Sequence, residues 1–463
     1  MANEHFDLIS IGSGSAGRRV AVAMHNAGWK TAIVEKDVEH HFGGTCICTG
    51  CIPTKALIEK VRMTEDFDQA RDHKKKIVDR IRSGTLRSFE ERRGGRVLRG
   101  LGSLVDKNTV KVTKEDGSEE KYTADIIVLA TGSYSFIPPV EGLRESNYKT
   151  SKEILELETV PKRLLIIGAG RIGLEFGQLF LNLGSEVTVF EGFPHIFANA
   201  EDYEMSDTIQ EFLEKKGMKI LTGKFVDKVS ESKMDDGSSK FTVSLLDGPH
   251  KGDYTGDVLL VATGRRPNIK GLNLDAAGVK TERGTILVDK YLQTSQEGIF
   301  AIGDVRGNPM FTNWASYQSG VLLKNFKKSK NDKSKWSPVP DKVLPRIAFV
   351  QPEFASVGMT EEQAREKYGD EVVTYKYRNK WLGKSMIVDD WDGILKGVGR
   401  KGSDEILGAH LWGERTGSLI QMIVLAMENG LGWSKLNDLV YGHPVLAEGI
   451  YSLAGNMKGL TQK

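Results

Sequence analysis

The apolar residues near the amino terminus predict a strand, a helix and a second strand in succession. Residues 7–11 form a short apolar run, a helical pattern extends to Gly28, and a second apolar run covers residues 31–34 and ends at Glu35. Three glycines lie between the first strand and the helix: Gly12, Gly14 and Gly17. Glycines at this spacing let the backbone approach a pyrophosphate at the helix N-terminus, and the acid can accept hydrogen bonds from a ribose. The segment therefore predicts a dinucleotide-binding unit.

The same unit recurs in the middle of the chain. Apolar runs at residues 163–167 and 186–190 flank a helix that extends to about Leu183, and the second run ends at Glu191. The turn between them contains Gly168, Gly170, Arg171, Ile172 and Gly173. In both copies the acid follows the third glycine by 18 residues, and each copy precedes an apolar strand that ends in Ala-Thr-Gly. The repeat predicts two dinucleotide sites of one architecture.

Glu191 bears on the identity of the second dinucleotide. A carboxylate at the end of the second strand favours the free ribose 2′-hydroxyl of NAD and repels the 2′-phosphate of NADP, which arginines usually bind. Residues 192–198 contain no arginine. We therefore expect NAD in preference to NADP.

Length and composition are typical of an intracellular enzyme with several domains. The chain has 463 residues and a formal net charge of +2, so no basic excess points to nucleic acid. Its apolar runs fall short of the roughly 18 residues that a membrane span requires. The first residues lack the basic start and apolar core of a secretory signal. We expect a cytoplasmic protein that binds neither nucleic acid nor membrane.

The three cysteines of the chain lie within six residues of one another. Cys46 and Cys51 are five positions apart, Cys48 lies between them, and a predicted helix continues from this segment through Leu57 and Val61. Free amides and the macrodipole at a helix start favour a thiolate, so the segment predicts a dithiol with a lowered pKa. Three closely spaced thiolates would also suit a soft ion such as Cu(I) or Hg(II). A redox role and a metal role both stay open on these residues alone.

Several motifs together resemble those of the class I pyridine nucleotide-disulfide oxidoreductases. They are the two glycine fingerprints, Gly43-Gly44-Thr45-Cys46 with Cys51-Ile-Pro-Thr-Lys55, the segment Gly298–Asp304, and Gly442-His443-Pro444 with Glu448. Within this family the chain is most similar to the dihydrolipoamide dehydrogenases. The resemblance implies an α/β fold with two Rossmann-like dinucleotide-binding domains of the glutathione-reductase type and a C-terminal α/β dimerisation domain. The implied boundaries are 1–150 for the first part of the FAD-binding domain, 151–275 for the NAD-binding domain, 276–345 for the second part of the FAD or central domain, and 346–463 for the dimerisation domain.

The resemblance also implies the chemistry. FAD would occupy the first dinucleotide site and NAD the second, and a redox-active disulfide would link Cys46 to Cys51. Cys46 would exchange with substrate and Cys51 would face the flavin, while His443, oriented by Glu448, would be the acid-base catalyst. In the family the histidine and glutamate act in the neighbouring subunit's site, so we expect a homodimer whose active sites are shared between subunits.

The resemblance further implies a set of cofactor contacts. They come from Gly12, Gly14, Gly17, Glu35, Lys36, Gly44, Thr45, Lys55, Gly102, Ala130, Thr131, Gly132, Gly168, Gly170, Arg171, Ile172, Gly173, Glu175, Glu191, Gly264, Gly303 and Asp304. Lys55 and Glu175 match residues that the family pairs near the flavin, and Asp304 matches an aspartate on the flavin ribityl chain.

The predicted reaction is electron transfer between a dithiol and NAD, with dihydrolipoamide as the leading dithiol and a small molecule or a lipoyl domain as its carrier. Departures from the dehydrogenase pattern leave the substrate open: Tyr441 replaces a second histidine of many lipoamide enzymes, and residues 310–318 differ at the expected flavin edge. One alternative is an NAD(P)H-dependent reductase of another low-molecular-weight disulfide, a quinone or a soft metal ion. A flavin-bearing scaffold or sensor whose dithiol controls a partner is a further hypothesis.

Overall fold

The computed structural model describes residues 4–91, 94–330 and 332–462. In this part of the chain the strands are β1 Glu4–Ile11, β2 Thr31–Glu35, β3 Arg96–Arg99, β4 Leu101–Leu104, β5 Thr109–Thr113, β6 Glu119–Leu129, β7 Ser133–Ser135, β8 Arg163–Ile167, β9 Glu186–Phe190, β10 Lys219–Leu221, β11 Lys228–Lys233, β12 Ser239–Leu245, β13 Gly252–Gly256, β14 Val258–Val261, β15 Arg265–Pro267, β16 Thr281–Glu282, β17 Thr285–Ile286, β18 Ile299–Ala301, β19 Arg346–Ala348, β20 Glu353–Gly358, β21 Val372–Arg378, β22 Ile394–Arg400 and β23 Ser403–Gly413. The α-helices are α1 Ser15–His25, α2 Val38–His41, α3 Gly44–Cys48, α4 Cys51–Thr64, α5 Phe67–Glu90, α6 Arg171–Asn182, α7 Tyr203–Lys215, α8 Thr312–Lys328, α9 Glu361–Tyr368, α10 Gly383–Ile387, α11 Thr416–Glu428, α12 Trp433–Asn437 and α13 Glu448–Thr461.

The first of two compact units comprises Met1–Phe136, Ser151–Leu157 and Gly264–Pro340. Its main sheet has the order β3-β2-β1-β6-β5-β4, with β18 beside β6. The strands β1, β2, β3, β6 and β18 pair in parallel, so successive residues such as Leu8 and Ile9 enter hydrophobic clusters on opposite faces of the sheet. The loop after β1 therefore lies at the carboxyl edge of a parallel sheet, where α/β folds bind nucleotides.

The second unit comprises Ile137–Thr150, Glu158–Thr263 and Asp341–Lys463. It contains a parallel sheet of order β10-β9-β8-β14 and an antiparallel sheet of order β11-β12-β13. A five-stranded antiparallel sheet of order β19-β20-β23-β22-β21 is formed by its carboxyl-terminal part. The loop between β8 and α6 carries the second glycine fingerprint. It lies at the carboxyl edge of its own parallel sheet, as the first fingerprint does in the first unit.

A network of buried charges joins two parts of the second unit. The Glu201 side chain is fully buried and accepts hydrogen bonds from Arg171, Arg346 and Ser356. Burial would raise the pKa of Glu201, but the charges of the two arginines outweigh it and lower the pKa. Because Arg171 begins α6 and Arg346 begins β19, the network holds the nucleotide-binding helix against the five-stranded sheet.

Most of the predicted elements are present in the structure. β8 and β9 coincide with the two predicted strands of the second dinucleotide unit. On α11, Ile420 and Ile423 are buried in the core, whereas Leu425 is 66% exposed. The α/β fold class is confirmed, and the four domain boundaries stay predictions. Among the described residues, no helix combines the length and the apolar character needed to cross a membrane.

Candidate active site

The first glycine loop is held by Glu35 from the end of β2. Ser13 donates two hydrogen bonds to the Glu35 Oε2 atom, from its amide at 3.1 Å and from its hydroxyl at 2.6 Å. Gly12 has a φ of +104°, and a Cβ there would lie 2.5 Å from the Ala130 carbonyl oxygen. Gly17 is packed as closely against its neighbours. Backbone conformation and space thus require glycine in this loop, as the sequence predicts.

The second glycine loop repeats this geometry. The Ala169 amide donates to the Glu191 Oε2 atom at 2.9 Å, and the Phe193 amide donates to Oε1 at 3.1 Å. Gly168 has a φ of +106°, and a Cβ there would lie 2.5 Å from the Ala262 carbonyl oxygen. Burial raises the pKa of Glu191, although the amide donors act against it. The match between the two loops agrees with the sequence repeat residue by residue.

Two glycines of the second loop should respond differently to substitution by alanine. Gly168→Ala should lower the free energy of unfolding by about 1–3 kcal/mol, because it forces a left-handed φ and a backbone clash. Gly170 has a φ of −75° and open space around its Cβ position, so Gly170→Ala should keep the fold within about 0.5 kcal/mol. Its methyl group should instead weaken NADH binding. Thermal unfolding and fluorescence titration with NADH separate the two effects, and equal destabilisation by both variants would contradict this account.

The cysteine segment is fixed to the first glycine loop. The Gly43 amide donates to the Ser13 hydroxyl at 2.9 Å. A Cβ on Gly44 would lie 2.7 Å from the Gly14 Cα atom, so the two backbones touch. The helix α1 begins at Ser15 without a side-chain cap from the described residues, which leaves its first amides available to a phosphate. These features fit FAD, since the loop can hold a pyrophosphate and the contact brings the cysteines to the same ligand.

Cys46 and Cys51 lie on two helices, whereas the sequence predicted one. Cys46 lies in the short helix α3, and Cys51 is the first residue of α4. They do not form a disulfide here, and the Cys46 thiol is hydrogen-bonded to Cys51. The Thr312 hydroxyl, at the start of α8, is a further partner of Cys46 and lies 3.6 Å from the Cys51 Sγ atom. The two thiols and one hydroxyl therefore converge at a single point.

The lowered thiol pKa predicted from the helix start is not found at Cys46. The hydrogen bond to Cys51 and burial raise the pKa of the Cys46 thiol, and the hydroxyls of Thr312 and Ser15 offset this only in part. Burial disfavours the charged form of a thiol, and a neighbouring sulfur that shares its proton disfavours it further. Thiolate formation at Cys46 therefore requires a base from outside this cluster.

Cys48, the third cysteine, is buried. It is 7% exposed, and its thiol donates to the Phe42 carbonyl oxygen at 3.5 Å. Burial raises the pKa of Cys48 to about 12. Among the residues that the structure describes, no group of three or more His, Cys, Asp and Glu side chains is placed to hold a metal ion. The hypothesis of a three-cysteine metal site is therefore unsupported.

Further predicted cofactor residues lie at the carboxyl ends of β6 and β18. Thr131 and Gly132 follow β6, and Gly132 has a φ of +70°. Gly303 and Asp304 come shortly after the end of β18. Asp304 accepts a hydrogen bond from the Ser133 hydroxyl at 2.6 Å. Because β6 lies between β1 and β18 in the parallel part of the sheet, these residues share an edge with the first glycine loop.

The remaining predicted cofactor residues are distributed over several elements. In the first unit they are Lys36, exposed after β2; Thr45 and Lys55, half-buried on α3 and α4; Gly102, buried in β4; and Gly264, with a φ of +111°. In the second unit, Arg171 forms an ion pair with Glu201, and Ile172 is half-buried. A Cβ on Gly173 would lie 2.0 Å from the Gly168 carbonyl oxygen. Glu175 is buried and accepts a hydrogen bond from the Phe349 amide at 2.9 Å.

His443 and Glu448 form a hydrogen-bonded pair near the carboxyl terminus. The His443 Nδ1 atom lies 2.9 Å from the Glu448 Oε1 atom, and the other carboxylate oxygen accepts the Val445 amide at 2.9 Å. The hydrogen bond from His443 lowers the pKa of Glu448, so the carboxylate is ionised near neutral pH. The His443 side chain is 78% exposed in the single chain. The glutamate thus holds the Nδ1 side of an exposed imidazole.

Sequence reasoning missed several residues that complete the site. Ser13 bridges Glu35 and the cysteine segment, and Thr312 contacts both cysteines. Ser13 lies inside the glycine fingerprint, so its position was a usable signal. Thr312 carries no local motif, although it lies within residues 310–318, the segment expected at the flavin edge.

Comparisons with known proteins agree with this site. Residues 6–319 match the family described as pyridine nucleotide-disulphide oxidoreductase, and residues 344–454 match the dimerisation domain of that family. The chain is 32% identical to a mercuric reductase of Staphylococcus aureus, over 96% of this chain and 81% of the relative. It is 34% identical to a dihydrolipoyl dehydrogenase of Chlamydia pneumoniae, over 96% of this chain and 95% of the relative.

A solved structure is also similar over the full length. It is the Cu(II) complex of the HOCl-induced flavoprotein disulfide reductase RclA from Escherichia coli. The TM-score is 0.90 at 29% identity, and the match covers 98% of this chain and 100% of the other. The predicted cofactors, FAD and a nicotinamide nucleotide, are confirmed at the level of the family, and the dimerisation domain supports a homodimer.

Proposed function

We propose that this chain, which belongs to the class I pyridine nucleotide-disulfide oxidoreductase family, transfers electrons between a dithiol and NAD, with dihydrolipoamide as the leading dithiol. The observation that carries the proposal is the contact between the cysteine segment and the first glycine loop. It supports the proposal because the thiol pair would lie next to FAD bound at the first glycine loop. FAD, when bound there, supplies a two-electron carrier between the thiols and the nicotinamide.

Cys46 and Cys51 would cycle between the dithiol seen here and a disulfide. A thiolate of the substrate attacks the Cys46 Sγ atom, the Cys46–Cys51 bond breaks, and Cys51 leaves as a thiolate. The second substrate thiol then displaces Cys46, so that the substrate closes its own disulfide. In total the substrate loses two electrons and two protons, NAD becomes NADH, and one proton is released.

His443 would move the protons of this exchange. An imidazole titrates near neutral pH, so it can take a proton from an attacking thiol and return it to a leaving thiolate. The raised pKa of Cys46 makes its sulfur a poor leaving thiolate, so the returned proton would be needed when Cys46 leaves the mixed disulfide. Glu448 would hold the Nδ1 side of the ring and leave Nε2 to face the sulfur.

The second site favours NAD over NADP. A 2′-phosphate would meet the buried carboxylate of Glu191. The basic side chains nearby are already paired: His195 lies 2.6 Å from Asp207, and Lys224 forms ion pairs with Asp227 and Asp247. The carboxylates that pair with these side chains already balance their positive charge, which disfavours their use for the 2′-phosphate of NADP.

The active site would be completed by a second copy of the chain. The surface around His443 is apolar and open: Leu439, Val440, Val445 and Tyr451 are between 37% and 101% exposed. An exposed apolar patch of this kind marks an interaction surface. A dimer would cover it and bring the partner subunit's His443 to Cys46.

Mixing two inactive variants tests the shared site. When Cys46→Ser and His443→Ala proteins are unfolded together and refolded at equal amounts, half of the dimers should contain one chain of each kind. Each such dimer has one intact site, so about one quarter of the parent's specific activity should return. The control is the same treatment of each variant alone. No recovery in verified mixed dimers would mean that the cysteines and the histidine act within one chain.

A second candidate function is a reductase that runs from NADH to another acceptor. The similarity to a mercuric reductase and to the Cu(II) complex of RclA favours it, because neither name refers to lipoamide. Low-molecular-weight disulfides, quinones, Cu(II) and Hg(II) are the acceptors to compare with lipoamide. A kcat/KM for one of them well above that for lipoamide would establish this candidate.

A further inference from the structure

Arg18 is a cation near the thiol pair, and its Nε atom is a hydrogen-bond donor without a partner among the described residues. It lies three residues after Ser15 on α1, so the two side chains share one face of the helix. Ser15 is a hydrogen-bond partner of the Cys46 thiol, which places this face of α1 next to the exchanging cysteine. The Arg18 Nε atom is buried and has no hydrogen-bond partner among the described residues.

The neighbouring arginine is different. The Arg19 guanidinium donates to the Ser316 carbonyl oxygen on α8 at 2.9 Å, and its side chain is exposed. Arg19 thus ties α1 to α8 and has a structural role. Substitutions at Arg18 and Arg19 therefore remove the same charge at adjacent positions that differ in environment, so Arg19 provides a matched control for Arg18.

The surroundings of Arg18 favour an anionic ligand. Burial lowers the pKa of Arg18, and the charge that Cys46 carries whenever it is ionised acts against this, so the cation and the sulfur share one electrostatic environment. A guanidinium stays charged at any pH at which thiols exchange. Its planar donors match a carboxylate, and a buried donor without a partner is costly until such a group arrives.

We propose that Arg18 is a specificity-determining residue that binds a carboxylate on the thiol or disulfide that reaches Cys46. Arg18 would favour low-molecular-weight dithiols or disulfides that carry an acidic group, and dihydrolipoamide would react without this contact. This inference rests on the proposed function, because it requires Cys46 to be the thiol that meets substrate. The free acid lipoate would use Arg18, whereas the neutral arm of lipoamide would not.

Alkylation of the reduced protein tests the charge effect without turnover. Iodoacetate is anionic and iodoacetamide is neutral, and mass spectrometry measures the rate constant of each reagent at Cys46. The ratio of the anionic to the neutral rate constant should fall by about three- to tenfold in Arg18→Met. Arg18→Lys should restore most of the ratio, and Arg19→Met, which removes the same charge one residue away, should leave it unchanged. An equal ratio in the parent and in Arg18→Met would overturn the proposal.

Steady-state kinetics separates this inference from the function on which it rests. The ratio of kcat/KM for lipoate to that for lipoamide should fall in Arg18→Met by a similar factor, mainly through KM for lipoate. An unchanged ratio in a protein that turns over both substrates overturns the role of Arg18 alone. Absence of turnover with every dithiol and disulfide overturns the proposed function, and with it the substrate class. Flavin content and circular dichroism of Arg18→Met establish that the variant is folded and loaded.

Discussion

Cys46→Ser should abolish oxidation of dihydrolipoamide, with a loss of at least about 10⁴-fold in kcat, because nucleophilic residues that act as a unit cannot be replaced singly. A serine hydroxyl cannot form a mixed disulfide with substrate or close a disulfide with Cys51. The loop and the glycine contacts that hold the segment do not involve the Cys46 side chain, so the variant should fold and bind flavin. Reduction of the bound flavin by NADH should therefore be retained. Anaerobic assays of the two half-reactions measure both effects.

Cys48 provides the matched control for this substitution. Cys48→Ser keeps a donor for the Phe42 carbonyl oxygen, so dithiol turnover should stay within about twofold of the parent. A fall in Cys48→Ser as large as that in Cys46→Ser would show that the experiment reports damage to the loop. Dithiol turnover that survives Cys46→Ser would remove Cys46 from the reaction.

His443→Ala should lower dithiol turnover by about 10²–10⁴-fold, which is the usual contribution of a general acid-base catalyst. Substrate thiols are mostly protonated near neutral pH and need a base before they attack, and the raised pKa of Cys46 means that its sulfur needs a proton donor when it leaves the mixed disulfide. The loss should be largest near neutral pH and should shrink at alkaline pH, where substrate thiols ionise without help. A pH profile of kcat/KM in the parent and the variant measures this change.

His40 is a suitable control for the loss of an imidazole. Its side chain is 86% exposed and pairs with Asp37 at 3.1 Å, in a different part of the chain from His443. His40→Ala should leave turnover and its pH profile unchanged. A profile of the same shape in His443→Ala and the parent, at reduced height, would instead indicate a structural role for His443.

The dinucleotide sites were predictable because their signals are local. A strand, a glycine loop and an acid follow one another within about thirty residues, as expected of a βαβ unit. The structure adds a reason for the acid: Glu35 and Glu191 accept hydrogen bonds from amides of their own glycine loops. The spacing of 18 residues thus reflects the fold as much as the chemistry.

The environment of the thiols could not be read from the sequence in the same way. Thr312 is 261 residues from Cys51, and no periodic pattern links the two positions. The expected low pKa is not found at Cys46 for a related reason. The helix start was visible in the sequence, but the hydrogen bond between the two thiols depends on how α3 and α4 pack. Arg18 was equally hidden, since one arginine among 64 basic residues gives no sign of an unfilled donor.

Anaerobic stopped-flow mixing of the purified flavoprotein with dihydrolipoamide, followed by NAD, tests the central claim most directly. Visible absorbance reports the redox state of the bound flavin, and NADH is measured in the second mix. The account predicts rapid reduction by dihydrolipoamide and reoxidation by NAD with one NADH formed per site. If NADH reduces the flavin but dihydrolipoamide does not, electron transfer from dithiol to NAD is contradicted, and the protein is a reductase whose acceptor is another molecule.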